Sequence, residues 1–146
     1  MKACNLTLCL TIGRRPELLR QTLQSLLDKV EFADIIAIND FRDEETNQVF
    51  RELCPEGLLI NLPTQVGHHK AVDEMYSKVQ TEYIFHCEDD WLFDQPIEFE
   101  KYIKTLKKNP KATQLCFRKW TDFPFSEEQK SQIQFIESSP LNLARF

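Results

Sequence analysis

The sequence predicts an α/β fold, a three-layer α/β/α sandwich around a mainly parallel central sheet. Three observations carry that expectation. Short apolar runs such as NLTLCLTI and DIIAIN are hydrophobic throughout rather than at every second residue, which marks strands covered on both faces. Between them lie segments with apolar residues at helical spacing. The two patterns alternate along the chain, which is the rhythm of strand–helix–strand crossovers. A chain of 146 residues, 42% of them hydrophobic, can fill one core, and residues 1–146 read as a single α/β domain with no repeat, low-complexity tract or linker.

The elements follow in order. Asn5 to Ile12 is the first strand, broken by Gly13-Arg14-Arg15. Pro16 suits the first turn of a helix, where its missing N–H costs nothing. Leu18, Leu19, Thr22, Leu23, Leu26 and Leu27 then extend that helix to about Lys29. Asp34 to Asn39 is the second strand, Asp40 to Asp43 a loop, and Glu44 to Leu53 a short helix. Leu58 to Leu62 is the third strand and Pro63 to Gly67 a loop. His68 to Val79 is a helix, with Ala71, Val72, Met75, Tyr76 and Val79 on its apolar face. Glu82 to Cys87 is the fourth strand. Pro96 to Lys108 is a helix that buries Phe99, Tyr102, Ile103 and Leu106 and stops at Asn109-Pro110. Thr113 to Phe117 reads as a fifth strand and Gln132 to Ile136 as a sixth.

Charge and composition exclude several classes. Acids outnumber bases 23 to 18, so the net charge of −5 gives no basic field for nucleic acid or a membrane surface. No 18-residue apolar run encodes a transmembrane helix. The start, MKACNLTLCLTIGRRPE, lacks the h-region and cleavage site of a signal peptide. Five cysteines without a C-x-x-C suggest neither a disulfide framework nor a zinc knuckle, but free buried thiols in a reducing cytoplasm. With only three glycines there is no G-x-G-x-x-G or G-K-[ST] loop, and no G-x-S-x-G elbow.

In a parallel sheet, ligands bind beyond the carboxyl ends of the strands. Four stretches sit there: Thr11 to Arg15, Asp40 to Asp43, Pro63 to Lys70, and Glu88 to Trp91. The last contains three adjacent acids, Glu88, Asp89 and Asp90, between aromatic residues. Side chains alternate in an extended segment, so Glu88 and Asp90 share one side and Asp89 faces the other. Two converging carboxylates make a hard oxygen site suited to Mg²⁺ or Mn²⁺, whose charge relieves their repulsion. An acidic turn in solvent is the plainer alternative. Asp40 can accept an imide N–H, as in uracil, but taken alone it reads as a simple turn residue. Arg14-Arg15 is a phosphate contact or a solvated turn. His68-His69-Lys70 opens a helix, where Lys70 meets either a diphosphate or water. His69 and Asp73 share a helical face, but with His86 the only other histidine a zinc site is discounted.

Together these positions resemble the nucleotide-binding half of GT-A-fold glycosyltransferases, most closely the large inverting family 2 type. The resemblance rests on LTLCLTIGRRPELLRQTLQSLL, IIAIND, GHHKAVDEMY and YIFHCEDDW, in that order, with NPKATQLCFR following, and covers roughly residues 4–118. YIFHCEDDW takes the place of the family's Asp-x-Asp metal motif in a Glu-Asp-Asp form. The resemblance implies a metal-dependent transferase that moves a sugar from a nucleotide-diphosphate sugar, usually a UDP-sugar, to an unidentified glycan, lipid or protein acceptor. Thr11 and Asp40 would hold the base, Arg14 would lie near the base or phosphates, and His69 and Lys70 near the diphosphate. Asp90 would bind Mn²⁺ or Mg²⁺ directly, with Glu88 beside it as a further metal ligand and Asp89 toward the ribose.

The departures are Asn39, where the family has an acid, and Phe41-Arg42, where Gly-Ser is usual. The chain also ends at Phe146, the last residue of SSPLNLARF, so the half that carries the acceptor and its catalytic base is expected to be short or missing. Glu127, Glu128 and Glu137 are among the acids that follow, and the catalytic base stays unassigned. Two readings therefore stand beside transfer: a non-catalytic nucleotide-sugar-binding module, and a fragment of a longer enzyme. A receiver-like phosphoryl-transfer domain would place its acids after the first and third strands, whereas here they follow the second and fourth.

Overall fold

The protein's structure is a computed structural model that describes residues 2–117, 120–135, 144 and 145. The chain divides into two compact units, Met1–Phe99 and Glu100–Phe146.

The first unit is built on four parallel strands: β1 (Lys2–Ile12), β2 (Glu31–Asn39), β3 (Leu58–Ile60) and β4 (Tyr83–Glu88). Their order in the sheet is β3-β2-β1-β4. The connecting helices are α1 (Pro16–Leu27), α2 (Glu44–Leu53) and α3 (His68–Tyr76). From β1 to β2 to β3 the chain moves one way across the sheet, and from β3 to β4 it moves back the other way. Right-handed crossovers then put α1 and α2 on one face and α3 on the opposite face. The sandwich expected from the sequence is present, with every strand of this sheet parallel.

Alternation along β1 distributes the core. Cys9 packs with Ile36, Ile38, Ala71 and Met75 under α3, with Ile60, Leu62, Val66 and Val79 at the margin. Leu8, Leu10 and Ile12 point to the other face, where Leu19, Leu23 and Leu26 of α1 and Phe50 of α2 are also buried. Each such side chain removed from water contributes roughly 1.5–3 kcal/mol. Arg20 of α1 forks onto both carboxylate oxygens of Glu52 on α2, at 2.9 and 2.8 Å. The start of β4 is tied to β1 by the paired Asn5–Glu82 hydrogen bonds and by Thr7 to Thr81. This fixes the register that carries Leu8 opposite Phe85 and Thr11 opposite Glu88. Phe85 in turn anchors an aromatic cluster, stacked on Phe32 and met edge-on by Phe93 and Phe99.

Several boundaries differ from expectation. β3 stops at Ile60 rather than Leu62, its pairing with β2 ending at Ile38 opposite Ile60. α3 ends at Tyr76, where Ser77 closes the helix through its amide to Asp73. Thr113 to Phe117 is not a strand: it joins no strand ladder among the described residues, and Cys116 and Phe117 are exposed, the Phe117 ring meeting Tyr102 edge-on. A strand exists only through its ladder, so apolar composition alone did not suffice. Cys9, Cys54 and Cys87 are buried free thiols as expected, while Cys116 is an exposed one.

The second unit holds most of α4 (Phe99–Lys108), a 3₁₀ turn at Trp120–Asp122 and the short helix α5 (Glu127–Ser131). It also has an antiparallel pair, β5 (Gln134–Phe135) with β6 (Ala144–Arg145). α4 begins at Phe99, three residues beyond Pro96. α5 is opened by a capping box in which Ser126 and Gln129 bond each other's backbone. The expected strand Gln132 to Ile136 is partly realised in β5; Ile136 lies outside the described residues, as does Glu137.

Candidate functional site

The reversal in strand order falls between β1 and β4, and the position this topology assigns to a ligand lies where Gly13 to Arg15 face Glu88 to Asp90. Glu88 and Asp90 are exposed and Asp89 is buried, as period-two alternation requires. Asp89 accepts the amide N–H of Gly13 at 3.2 Å and the Arg15 Nη2 donor at 2.5 Å. Arg15 Nη1 donates to Asp90 at 2.9 Å. Burial pushes the Asp89 carboxyl above its ordinary range, and the neighbouring Arg15 and Gly13 only partly offset that.

The turn that brings these groups together needs glycine at position 13. Its φ is +148°, and a Cβ would strike the Phe41 ring and lie 2.9 Å from Asn39 Oδ1. Arg14 follows in the left-handed region at φ 62°, donates its amide to Asp43 Oδ1 at 2.8 Å, and lays its guanidinium over Phe41 with 4.3 Å to the ring centroid. The two adjacent arginines are thus turned apart: Arg14 toward the β2–α2 loop, Arg15 toward the acids.

Asp40 accepts the amides of Val66 and Gly67 at 2.8 Å each. It therefore fastens the loop that leads into α3, whose exposed first turn carries His68, His69 and Lys70. Gly67 at the N-cap supplies no side chain, so the helix N-terminus is left with its backbone donors and positive end. Thr11, partly exposed, lies beside Glu88 on one side and Ile38 on the other. His86 is hydrogen-bonded through Nδ1 to the Tyr76 hydroxyl at 2.8 Å.

Sequence reasoning missed a buried polar network behind these loops. Asn39 is fully buried; its amide nitrogen reaches Asp43 Oδ1 at 3.2 Å and Asn47 Oδ1 at 2.8 Å, and its oxygen takes the Arg42 amide at 2.9 Å. Asn47 continues to Asn61 at 3.2 Å. Asp43 caps α2 through the Thr46 amide and also accepts the Thr46 hydroxyl. Burial alone would raise the Asp43 carboxyl, but bonds from Thr46, Arg14 and Asn39 hold it below the usual range. The readable signals were an asparagine ending an apolar strand and an aspartate just before Glu44-Glu45-Thr46.

No three His, Cys, Asp or Glu side chains gather in a metal-binding arrangement among the described residues. Two exposed, hard carboxylates at a strand end nonetheless match what Mg²⁺ or Mn²⁺ asks of a protein when phosphate oxygens and water fill the other positions. The donor set fits a cation completed by its ligand, not a preformed cage.

Fold and strand-end geometry define the class: a GT-A-type α/β protein with acids at the switch between β1 and β4. The model of glycosyl transferase family 2 matches residues 8–145, and the chain belongs to that family. It is a glycosyltransferase domain. No curated protein matches it. No helix among the described residues is long and apolar enough to cross a membrane.

Proposed function

We propose that the chain binds a nucleotide-diphosphate sugar, a UDP-sugar in the first instance, together with Mn²⁺ or Mg²⁺, and transfers the sugar to a glycan, lipid or protein acceptor. The observation that carries this reading is the position of exposed Glu88 and Asp90 at the strand-order switch in a chain of this family. Glu88 and Asp90 would hold the cation, whose charge would neutralise the departing diphosphate. Thr11 lines the base side. Each Asp40 oxygen already accepts one backbone N–H and keeps a second lone pair for a base N–H. The α3 N-terminus with His69 and Lys70 favours phosphate, Arg14 supports the base-side loop, and Asp89 holds the rim from below. Buried free thiols at Cys9, Cys54 and Cys87 support a reducing, cytoplasmic setting.

Titration calorimetry with UDP, with and without Mn²⁺ and against GDP and CDP, tests the proposal. Binding of UDP that requires the metal and is lost in Asp90→Asn is the expected result. Equal UDP binding by that variant in Mn²⁺ overturns the metal assignment, and no nucleotide binding at all overturns the donor assignment. Sugar release from labelled nucleotide sugars separates a transferase from a binding module.

A further inference from the structure

Arg15 is the residue the sequence resemblance leaves without a task. It stands at the N-cap of α1 but makes no cap hydrogen bond with its side chain. Its guanidinium instead spans about 75 residues of sequence to bridge both acids after β4. The two legs differ physically. The Asp89 side chain is 3% exposed, and without Arg15 its charge would keep only the long Gly13 N–H bond. A buried carboxylate so stripped is strongly unfavourable, so this leg is a fixture. Asp90 is 36% exposed and Arg15 47%, and an ion pair between such solvated groups contributes little. The Asp90 leg is exchangeable.

An exchangeable guanidinium N–H on Asp90 has two consequences. It balances the charge of a carboxylate proposed as a cation ligand and engages one of its oxygens, so it competes with the cation. It also leaves, once released, a planar donor beside the ligand position, and guanidinium matches phosphate oxygens in geometry and charge. Arg14 is not equivalently placed, because its guanidinium lies over the Phe41 ring and is turned toward the β2–α2 loop, not the acids.

We propose that Arg15 is the diphosphate-binding arginine and switches partner on ligand binding. In the nucleotide-free chain Nη1 covers Asp90 and holds cation affinity down. With a nucleoside diphosphate bound, Nη2 stays on Asp89 while Nη1 passes to a phosphate oxygen, freeing Asp90 for the cation. Cation and nucleotide then bind with positive coupling, each raising the other's affinity by the same factor. The diphosphate half of this inference rests on the proposed function; the competition for Asp90 does not.

The test reads Mn²⁺ binding by electron paramagnetic resonance, without nucleotide and then with UDP. Nucleotide-free Arg15→Gln is expected to bind Mn²⁺ about fivefold more tightly than wild type, the equivalent of one exposed ion pair. Its Mn²⁺–UDP coupling is expected to shrink. Should unpaired Asp89 unfold that variant, the double variant Arg15→Gln/Asp89→Asn removes the buried charge together with its partner and keeps Asp90. Unchanged or weaker nucleotide-free Mn²⁺ binding in a folded variant overturns the competition. Unchanged coupling overturns the partner switch even where wild type binds UDP with metal. Failure of wild type to bind UDP instead overturns the diphosphate role along with the proposed function.

Discussion

Replacing Asn39 with aspartate, the residue type usual in the family, is expected to destabilise this chain severely and in a pH-dependent way. Asn39 is a donor in a fully buried setting, with its amide nitrogen 3.2 Å from Asp43 Oδ1 and 2.8 Å from Asn47 Oδ1. In Asn39→Asp an oxygen takes the nitrogen's place and meets acceptors. If both carboxylates stayed ionised at that 3.2 Å separation, their repulsion would be about 5 kcal/mol at an effective dielectric of ~20. Keeping one proton on the pair costs about 1.4 kcal/mol per pH unit above the ordinary value near 3.9, hence about 4 kcal/mol at pH 7 and ~1.5 kcal/mol at pH 5. Protonation is the cheaper route, and the proton belongs to the pair rather than to either residue. One donor then replaces two, which adds about 1 kcal/mol. The expected loss is about 5 kcal/mol at pH 7 and roughly half that at pH 5, against a total stability of ~5–15 kcal/mol. Urea unfolding of wild type and variant at each pH, with matching slopes, measures it. A loss under about 1 kcal/mol at pH 7, or the same loss at both pH values, would refute the donor role of Asn39.

Three further outcomes are expected. Gly13→Ala combines a positive φ with a Cβ that meets Phe41 and Asn39, and should lose about 2–4 kcal/mol in urea unfolding; an unchanged midpoint contradicts the turn geometry. Burial holds the His86 imidazole below its ordinary range, with Glu88 opposing and His68 adding to the shift. Its stabilising contribution is therefore complete above about pH 6.5 and lost as pH falls toward the depressed value, and an NMR titration midpoint above ~6.5 contradicts this. Burial pushes the Cys9 and Cys54 thiols up to about 12, and Cys87 up as well with help from the adjacent acids. A thiol reagent near neutral pH should label Cys116 and spare these three until denaturant is added, as read by peptide mass mapping; native labelling of Cys54 at the Cys116 rate contradicts their burial.

What the sequence made legible is what local pattern controls. β1, β2 and β4 are each built around a short apolar run, and α2 has the expected bounds, Glu44–Leu53, because an aspartate cap and an amphipathic face agree there. Period-two alternation correctly sorted exposed Glu88 and Asp90 from buried Asp89. The strand expected at Thr113 to Phe117 failed because a ladder needs a partner, which no local window contains. The site's side-chain pairs were illegible for the same reason. Arg14 and Arg15 are indistinguishable as letters; only the left-handed backbone at Arg14 and the helix start at Pro16 send one to Phe41 and the other to acids after β4. Asn39 shows how such pairing reinterprets a departure. Read against the family pattern it is a missing acid. In the fold, Asp43, Asn47 and the Arg42 amide surround it, and only a side chain that both donates and accepts can serve all three. The same position then shapes the rim: the Asn39–Asp43 contact holds the loop whose Asp43 takes the Arg14 amide, and Gly13 next to it gives its own amide to Asp89. The acid triplet is positioned through a donor residue on a different strand, so the departure at Asn39 supports the rim that carries the acids.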